Sequence, residues 1–314
     1  MQVTGYFSLD KGLSCQGWRL LRGLVALGVL AGLYYLGSQH RDTLLTLGEV
    51  SLPPWSWRWW LPVLAGALVG VNWYLEVLKW QIVAANYGVN VRQALKGVIS
   101  GVALDNLLPA GSGAVVGRLA FLPAGRKATT VPGILVAQLL QSVVTLVFGW
   151  WSISTMALPY HTGMALPAYS PWWSLALVVP LPLVVVWRQR IGSFLQPLKS
   201  ISLFQWGQLL GLSLGRYLVF AGQFVLLGAF FAPGVSPVLS AACAAWMFVA
   251  RTFVPKVSGL ERLGIRALAI VLFAGWYELP AAGLLLSMVT LWLFNLALPS
   301  LAGVWLLHTT KRPA

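Results

Sequence analysis

Three polar side chains occur at helical intervals inside a long apolar run. Asn72, Glu76 and Lys79 are separated by four and three residues. On an α-helix these intervals place all three on one face, where Glu76 and Lys79 are close enough to form an ion pair. Ionisable groups at membrane depth are costly and usually face a bundle interior or a pathway. Two interpretations stay open, a structural ion pair between helices and a functional polar pathway.

A second concentration of polar residues lies in the apolar but interrupted stretch 91–127. Its helical pattern breaks at one proline and several glycines, at the point where an acid, an amide and a base gather: Pro109, Gly111, Gly113 and Gly117 beside Asp105, Asn106 and Arg118. A broken backbone leaves peptide groups without partners, which hydrocarbon does not tolerate unless protein or a water-filled cavity surrounds the break. The pattern predicts a re-entrant helical hairpin that lines a polar cavity.

The composition indicates the environment of these residues. Of the 314 residues, 58% are hydrophobic and only 9% are charged, and several apolar runs are long enough to span a bilayer. The net charge of +14 comes from Lys and Arg at the ends of apolar runs, which is typical of membrane topology and of attraction to anionic headgroups. Nucleic acid is therefore not expected as a partner. The two cysteines and three histidines are scattered, so neither a metal nor another cofactor is predicted.

The apolar runs predict an all-α, polytopic membrane protein that forms one integral membrane domain over residues 1–314. We expect about six spanning helices, at 18–37, 59–84, 131–153, 172–187, 204–231 and 280–308. Two broken-helix segments are expected to be re-entrant. The loop 154–171 contains no Lys or Arg and should lie outside, whereas both termini should be cytoplasmic.

The two interrupted stretches resemble each other. Pro109 to Gly113 and Pro255 to Gly259 share the pattern Pro-x-x-Ser-Gly, and Gly133 and Gly283 follow later in the same order. Counting spans gives the two units opposite orientation, which is the inverted-repeat plan of many secondary transporters. The first repeat is predicted at about 59–153 and the second at about 204–308.

Three motifs carry a resemblance to a known family: Asn72-Trp-Tyr-Leu-Glu76-Val-Leu-Lys79-Trp80, Pro109 with Gly113-Ala-Val-Val-Gly117-Arg118, and Glu261-Arg-Leu-Gly264-Ile-Arg266. They resemble those of the lysylphosphatidylglycerol synthase transmembrane, or flippase-like, family. The resemblance covers essentially the whole chain and implies an integral protein of the bacterial inner membrane that handles lipids, without the soluble synthase domain of some members. One departure is Ala114, which stands where the family commonly has a glutamate.

The resemblance and the buried charges together favour a membrane lipid translocator, with an anionic or phosphate-bearing lipid as its partner. Arg118 and Arg266 would hold the phosphate, because a guanidinium binds its oxygens bidentately. Each arginine could instead pair locally with Asp105 or Glu261 in a purely structural role. The candidate substrate-binding residues are Arg118, Arg266, Asn72, Glu76, Lys79, Asp105, Asn106, Arg251 and Glu261, and the candidate broken-helix residues are Pro109, Gly113, Gly117, Pro255 and Gly259.

Other functions and pairings remain open. A small-solute or ion transporter on the same plan is the main alternative. A lipid-modifying enzyme is less favoured because the seven acidic residues offer no close carboxylate pair, so no catalytic residue is assigned. Asp105 and Arg251 occupy equivalent positions before the two prolines and would form a cross-repeat ion pair. The local alternative pairs Asp105 with Arg118 and Arg251 with Glu261. A homo-oligomer is one arrangement that the sequence leaves open.

The predicted topology can be tested at Thr162, in the loop expected outside. A cysteine introduced there should react with an impermeant thiol reagent in intact cells. Labelling that occurs only after lysis would contradict both the topology and the inverted repeat, because both rest on the same count of spans.

Overall fold

The structure is a computed structural model that describes residues 56–85, 88–107, 112–122, 127–155, 198, 201–253 and 259–309. The predicted spans at 18–37 and 172–187, the loop around Thr162, and both Pro109 and Pro255 lie outside these residues. Within the described part every long element is a helix and no strand occurs.

The helices follow one another in two similar series. The first contains α1 (Trp60–Val83), α2 (Val91–Leu107), α3 (Ser112–Ala120) and α4 (Lys127–Thr155). The second contains α5 (Leu203–Phe231), α6 (Pro237–Phe253), α7 (Gly259–Trp276), α8 (Ala281–Trp292) and α9 (Leu298–Thr309). A 3-10 turn (Trp57–Trp59) precedes α1, and a π-helical turn (Leu293–Ala297) joins α8 to α9.

Four of these segments are long and apolar enough to cross a membrane: Trp57–Val83, Thr129–Ser152, Leu203–Phe231 and Ala281–Thr309. The shortest has 24 residues, about 36 Å of helix against a hydrocarbon core of about 30 Å. They coincide with four of the six predicted spans. The all-α fold is therefore confirmed for the described residues, and their four candidate spans are consistent with a membrane protein.

The first helices of the two series, α1 and α5, pack against each other and run antiparallel. Near the start of α1, the Trp59 ring lies 4.9 Å from the Phe230 ring at the end of α5. Farther along α1, Asn72 accepts a hydrogen bond at 2.9 Å from Arg216, which precedes Phe230 by four turns. Residues later in α1 thus contact residues earlier in α5, which makes the two helices antiparallel.

Helix α4 also runs antiparallel to α1. Gly133 near its start faces Val83 at the end of α1, and Gln141, two turns later, accepts a hydrogen bond from Lys79. Helix α4 consequently runs in the same direction as α5.

The last long segment, α8 with α9, runs antiparallel to α5. Gly283 near its start packs on the backbone of Phe231 at the end of α5. Farther on, Asn295 donates a hydrogen bond at 3.1 Å to Gln223. Of the four candidate spans, α1 and α8–α9 therefore point one way and α4 and α5 point the other way.

Helices α2 and α3 form an antiparallel hairpin whose backbones approach closely at glycine residues. A Cβ atom on Gly101 would lie 3.2 Å from the Ala114 carbonyl oxygen, and one on Gly117 would collide with the Gly101 backbone. Helix α3 has nine residues, about 14 Å of helix, which is too short to span. The predicted interruption of the helix in 91–127 is present as two packed helices.

Helices α6 and α7 take the corresponding place in the second series. They pack through a large apolar cluster that includes Met247 on α6 and Ile270 and Phe273 on α7. Gly259, which the sequence placed at the broken helix, is the first residue of α7.

A π-helical turn interrupts the final span. Pro299 is the second residue of α9 and has no N–H group to donate to the carbonyl four residues earlier. A single π-helical turn is a common way to accommodate a lost bond of this kind. Asn295 sits inside the turn and is buried.

The glycine contacts of the hairpin predict how α2 and α3 respond to an added methyl group. Gly117→Ala should lower the melting temperature in detergent, since overpacking against backbone typically costs about 1–3 kcal/mol. Gly211→Ala on α5 is the matched control, because its Cβ would meet no atom within 4 Å. That control should be neutral or slightly stabilising. Equal melting temperatures for both variants would contradict the close packing of α2 on α3.

Candidate functional site

The polar stripe of α1 is buried in the helix bundle. Asn72, Glu76 and Lys79 each expose 6% of their surface or less. Helix α1 is otherwise largely apolar, which suits a membrane span, and these three polar side chains lie on the face covered by protein.

Glu76 is the centre of the site because three cations share its carboxylate. Its Oε1 atom accepts from Nη2 of Arg118 on α3. Its Oε2 atom accepts from Nη1 of Arg216 on α5 at 2.5 Å and lies 3.5 Å from Nζ of Lys79. We call Lys79, Glu76, Arg118 and Arg216 the Glu76 cluster. It joins three helices through charged side chains that are each less than one fifth exposed.

Positive charge is in excess in the Glu76 cluster. Three cations surround a single carboxylate. Asp105 on α2 also attracts Arg118 electrostatically. Among the residues that the structure describes, and counting Asp105, three positive and two negative groups leave a surplus of one positive charge. A buried unbalanced cation is unfavourable unless an anion accompanies it.

Arg216 is held in one orientation by several groups. Its Nε atom donates to Oδ1 of Asn72 at 2.9 Å. Its guanidinium carbon lies 5.6 Å from the centre of the Trp73 ring and 5.5 Å from that of Phe220, both within the range of cation–π attraction. Together, these contacts hold the guanidinium plane of Arg216 beside Glu76.

A chain of side-chain amides continues from Arg216 through the bundle. Asn72 donates to Oδ1 of Asn295 at 2.9 Å, and Asn295 donates to Oε1 of Gln223 at 3.1 Å. Gln223 in turn donates to the Ala65 carbonyl oxygen at 2.7 Å. All three amide side chains are buried, and each is both donor and acceptor. The chain satisfies their hydrogen-bonding capacity and supports the position of Arg216.

Lys79 has looser contacts than Arg216. Its Nζ atom lies 3.3 Å from Oε1 of Gln141 on α4, in addition to the 3.5 Å separation from Glu76. Gln141 donates to the Ser213 carbonyl oxygen at 3.2 Å and so connects α4 with α5. The ammonium is buried but is held at the long end of the hydrogen-bond range.

The structure brings together some of the sequence-predicted site residues and separates others. Asn72, Glu76, Lys79 and Arg118 meet in one cluster, with Asp105 near Arg118. Asn106 lies beside Asp105 at the end of α2.

The second hairpin carries the remaining candidates. Arg251 is half-buried on α6, Arg266 is buried on α7, and Glu261 belongs to the first turn of α7. The described side chains of helices α6 and α7 supply none of the ion pairs of Glu76. The second arginine of the cluster is Arg216 rather than Arg266.

Sequence reasoning did not select Arg216, Gln223 or Asn295 as site residues. Arg216 and Gln223 are seven residues apart, which puts them on one face of α5 and is the signal that would have selected them. Asn295 comes four residues before Pro299, where a proline leaves a carbonyl without its helical donor. No pattern within a single helix shows that these residues meet α1.

Among the described residues, no three His, Cys, Asp or Glu side chains lie together as metal ligands would. The chemistry that the Glu76 cluster offers is anion binding by guanidinium and ammonium groups. No protein-family model matches the chain, and no curated protein or solved structure matches it either.

The shared carboxylate makes Glu76 the most sensitive position of the cluster. Glu76→Gln should strongly lower the melting temperature in detergent, because removing one partner of a buried pair costs about 3–5 kcal/mol. The double variant Glu76→Gln/Arg216→Gln should recover part of this loss. Glu278→Gln, at an exposed acidic residue, is the control and should change little. Strictly additive losses in the double variant would contradict the pairing.

Two pairings of Asp105 stay predictions: the local one with Arg118 and the cross-repeat one with Arg251. We expect Asp105→Asn and Arg118→Gln to be energetically coupled in a double-mutant cycle of melting temperatures, because Asp105 acts on Arg118. Additive effects in this cycle, together with coupling between Asp105 and Arg251, would contradict the local pairing and support the cross-repeat ion pair.

Proposed function

We propose that this protein is a membrane lipid translocator that handles an anionic or phosphate-bearing lipid in a central polar site. The observation that carries the proposal is the surplus of buried cations around Glu76 within the described part of the chain, which also contains four candidate membrane spans. A purely structural network is most favourable when its charges balance. A surplus inside a membrane protein favours an anionic ligand.

The chemistry of the three cations suits a phosphate group. Arg118 and Arg216 carry planar guanidinium groups that bind phosphate oxygens in pairs and keep their charge at any relevant pH. Lys79 adds a compact ammonium with three donors. A lipid would place its phosphate on cations of this cluster while its acyl chains stay in the bilayer.

The relation between the two helix series supports an inverted repeat. Helices α1 and α5, which begin the two series, run antiparallel. Gly133 packs against Val83, the last residue of α1, and Gly283 packs against Phe231, the last residue of α5. The two glycines that the sequence pattern made equivalent thus have equivalent contacts, as internal symmetry requires.

Contacts between the two series also join the last helix of each series to the broken stretch of the other. Gly303 on α9 packs on Ala103 of α2, and Gly149 on α4 packs on Val249 of α6. Ala103 and Val249 each precede the proline of their broken stretch by six residues. This exchange of partners supports a pseudo-two-fold axis in the membrane plane, with the substrate site between the repeats.

The short hairpin α2–α3 gives the translocator its polar interior. Helix α3 presents Arg118 to Glu76 without crossing the membrane, as a re-entrant element does. The flippase-like motifs and the positive charge at the ends of apolar runs support placement in the bacterial cytoplasmic membrane, with both termini in the cytoplasm.

Translocation in reconstituted vesicles tests this function. A fluorescent phosphatidylglycerol should exchange between leaflets faster with the protein than without it. Arg118→Lys keeps the charge but loses the bidentate fork, so the rate should fall about tenfold with expression retained. Arg92→Lys, at an exposed arginine on α2, is the matched control.

Arg266→Lys extends the same test to the second hairpin. Unchanged rates in both Arg118→Lys and Arg266→Lys would rule out a phosphate clamp at these arginines. Leaflet exchange equal to that of empty vesicles, combined with uptake of a soluble ion, would favour the small-solute transporter instead.

A further inference from the structure

The three cations of the Glu76 cluster differ in how firmly they are held. Arg216 is fixed by Asn72, by Glu76 and by two aromatic rings. Lys79 has two long contacts, at 3.3 and 3.5 Å. Arg118 donates from Nη1 to the Ala114 carbonyl of its own helix at 3.0 Å and from Nη2 to Glu76. Arg216 therefore needs no further anion, whereas Lys79 has donor capacity to spare.

The two carboxylate oxygens of Glu76 contact all three cations. Oε2 is shared between Arg216 and Lys79, and Oε1 serves Arg118. A single carboxylate at the centre of three donor groups occupies the position that the oxygens of a phosphate would occupy. A phosphate has more acceptor oxygens than a carboxylate, so it can serve Arg118 and Lys79 together.

We propose that Glu76 is the exchangeable counterion of the site: a phosphate group takes its place on Arg118 and Lys79, while Arg216 keeps its pair with Glu76. This inference rests on the proposed function and names the subsite that binds the phosphate. The shared chemistry is a phosphate group, carried by a lipid headgroup or free in solution.

The exchange has a consequence for the α2–α3 hairpin. Arg118 belongs to α3, so its ion pair with Glu76 fastens the hairpin to α1. The remaining contacts between the hairpin and α1 include apolar packing, with Val77 of α1 and Val98 of α2 in one cluster. Binding of phosphate replaces the charged link and leaves the apolar packing, so substrate binding loosens one specific connection of the re-entrant element.

Inorganic phosphate is a direct probe of the exchange. Its dissociation constant can be measured from the rise of melting temperature in detergent, at constant ionic strength balanced with chloride. Glu76 competes with phosphate in the wild type, so Glu76→Gln should bind phosphate about tenfold more tightly, because a larger fraction of the protein then has the binding-competent arrangement. Lys79→Gln should weaken binding.

Two further variants control for the loss of charge alone. Lys96→Gln and Arg92→Gln remove exposed cations from α2 and should leave the dissociation constant unchanged. Should Glu76→Gln fail to purify, the comparison of Lys79→Gln with Lys96→Gln decides the question. Equal phosphate affinity in Lys79→Gln and the wild type, or in Glu76→Gln and the wild type, would overturn the exchange.

A second arm separates the two sources of phosphate. Short-chain phosphatidic acid should bind at least as tightly as inorganic phosphate if the site takes a lipid headgroup, and with the same dependence on Lys79. If inorganic phosphate binds in a Lys79-dependent manner but phosphatidic acid does not bind, the subsite takes free phosphate. The exchange then stands and lipid translocation fails. If lipid still moves between leaflets but phosphate binding does not depend on Lys79 or Glu76, the counterion exchange is overturned and lipid translocation stands.

Discussion

The interaction on which the described structure depends is the sharing of one buried carboxylate among three cations. Glu76 links α1 to α3 through Arg118 and to α5 through Arg216. In a low-dielectric interior such ion pairs are strong, but each charge is costly when it is left alone. Glu76 therefore contributes to the relative positions of these three helices, and the surplus of cations around it among the described residues is the basis of the proposed anion site.

The rest of the polar interior serves to hold this arrangement. The amides of Asn72, Asn295 and Gln223 form a continuous chain that ends on a backbone carbonyl. Asn295 enters the chain from a π-helical turn, two residues before that turn ends and four before Pro299. Pro299, which would disrupt a regular helix, thus lies one turn after Asn295, the residue that joins the last span to the first. Irregular backbone in membrane helices is often found where it serves a site.

The fold and the site could be predicted from the sequence to different degrees. The span predicted at 59–84 is the helix Trp60–Val83, because a long apolar run has few other ways to satisfy its backbone in hydrocarbon. The stripe of Asn72, Glu76 and Lys79 followed from helical periodicity. Arg216 could not be assigned to Glu76 in the same way, since the two are 140 residues apart and their contact depends on how α1 packs against α5. Periodicity identifies the buried face of a helix and leaves its partner undetermined.

Native mass spectrometry of the protein, purified in mild detergent from a membrane that contains anionic lipids, tests the central claim most directly. The wild-type protein should retain a phosphate-bearing lipid, and a variant in which both Arg118 and Lys79 are glutamine should lose it while staying folded. The matched variant lacking Arg92 and Lys96 should keep the lipid. Equal lipid retention in all three proteins, or a wild type that carries no phosphate-bearing lipid, would contradict the account.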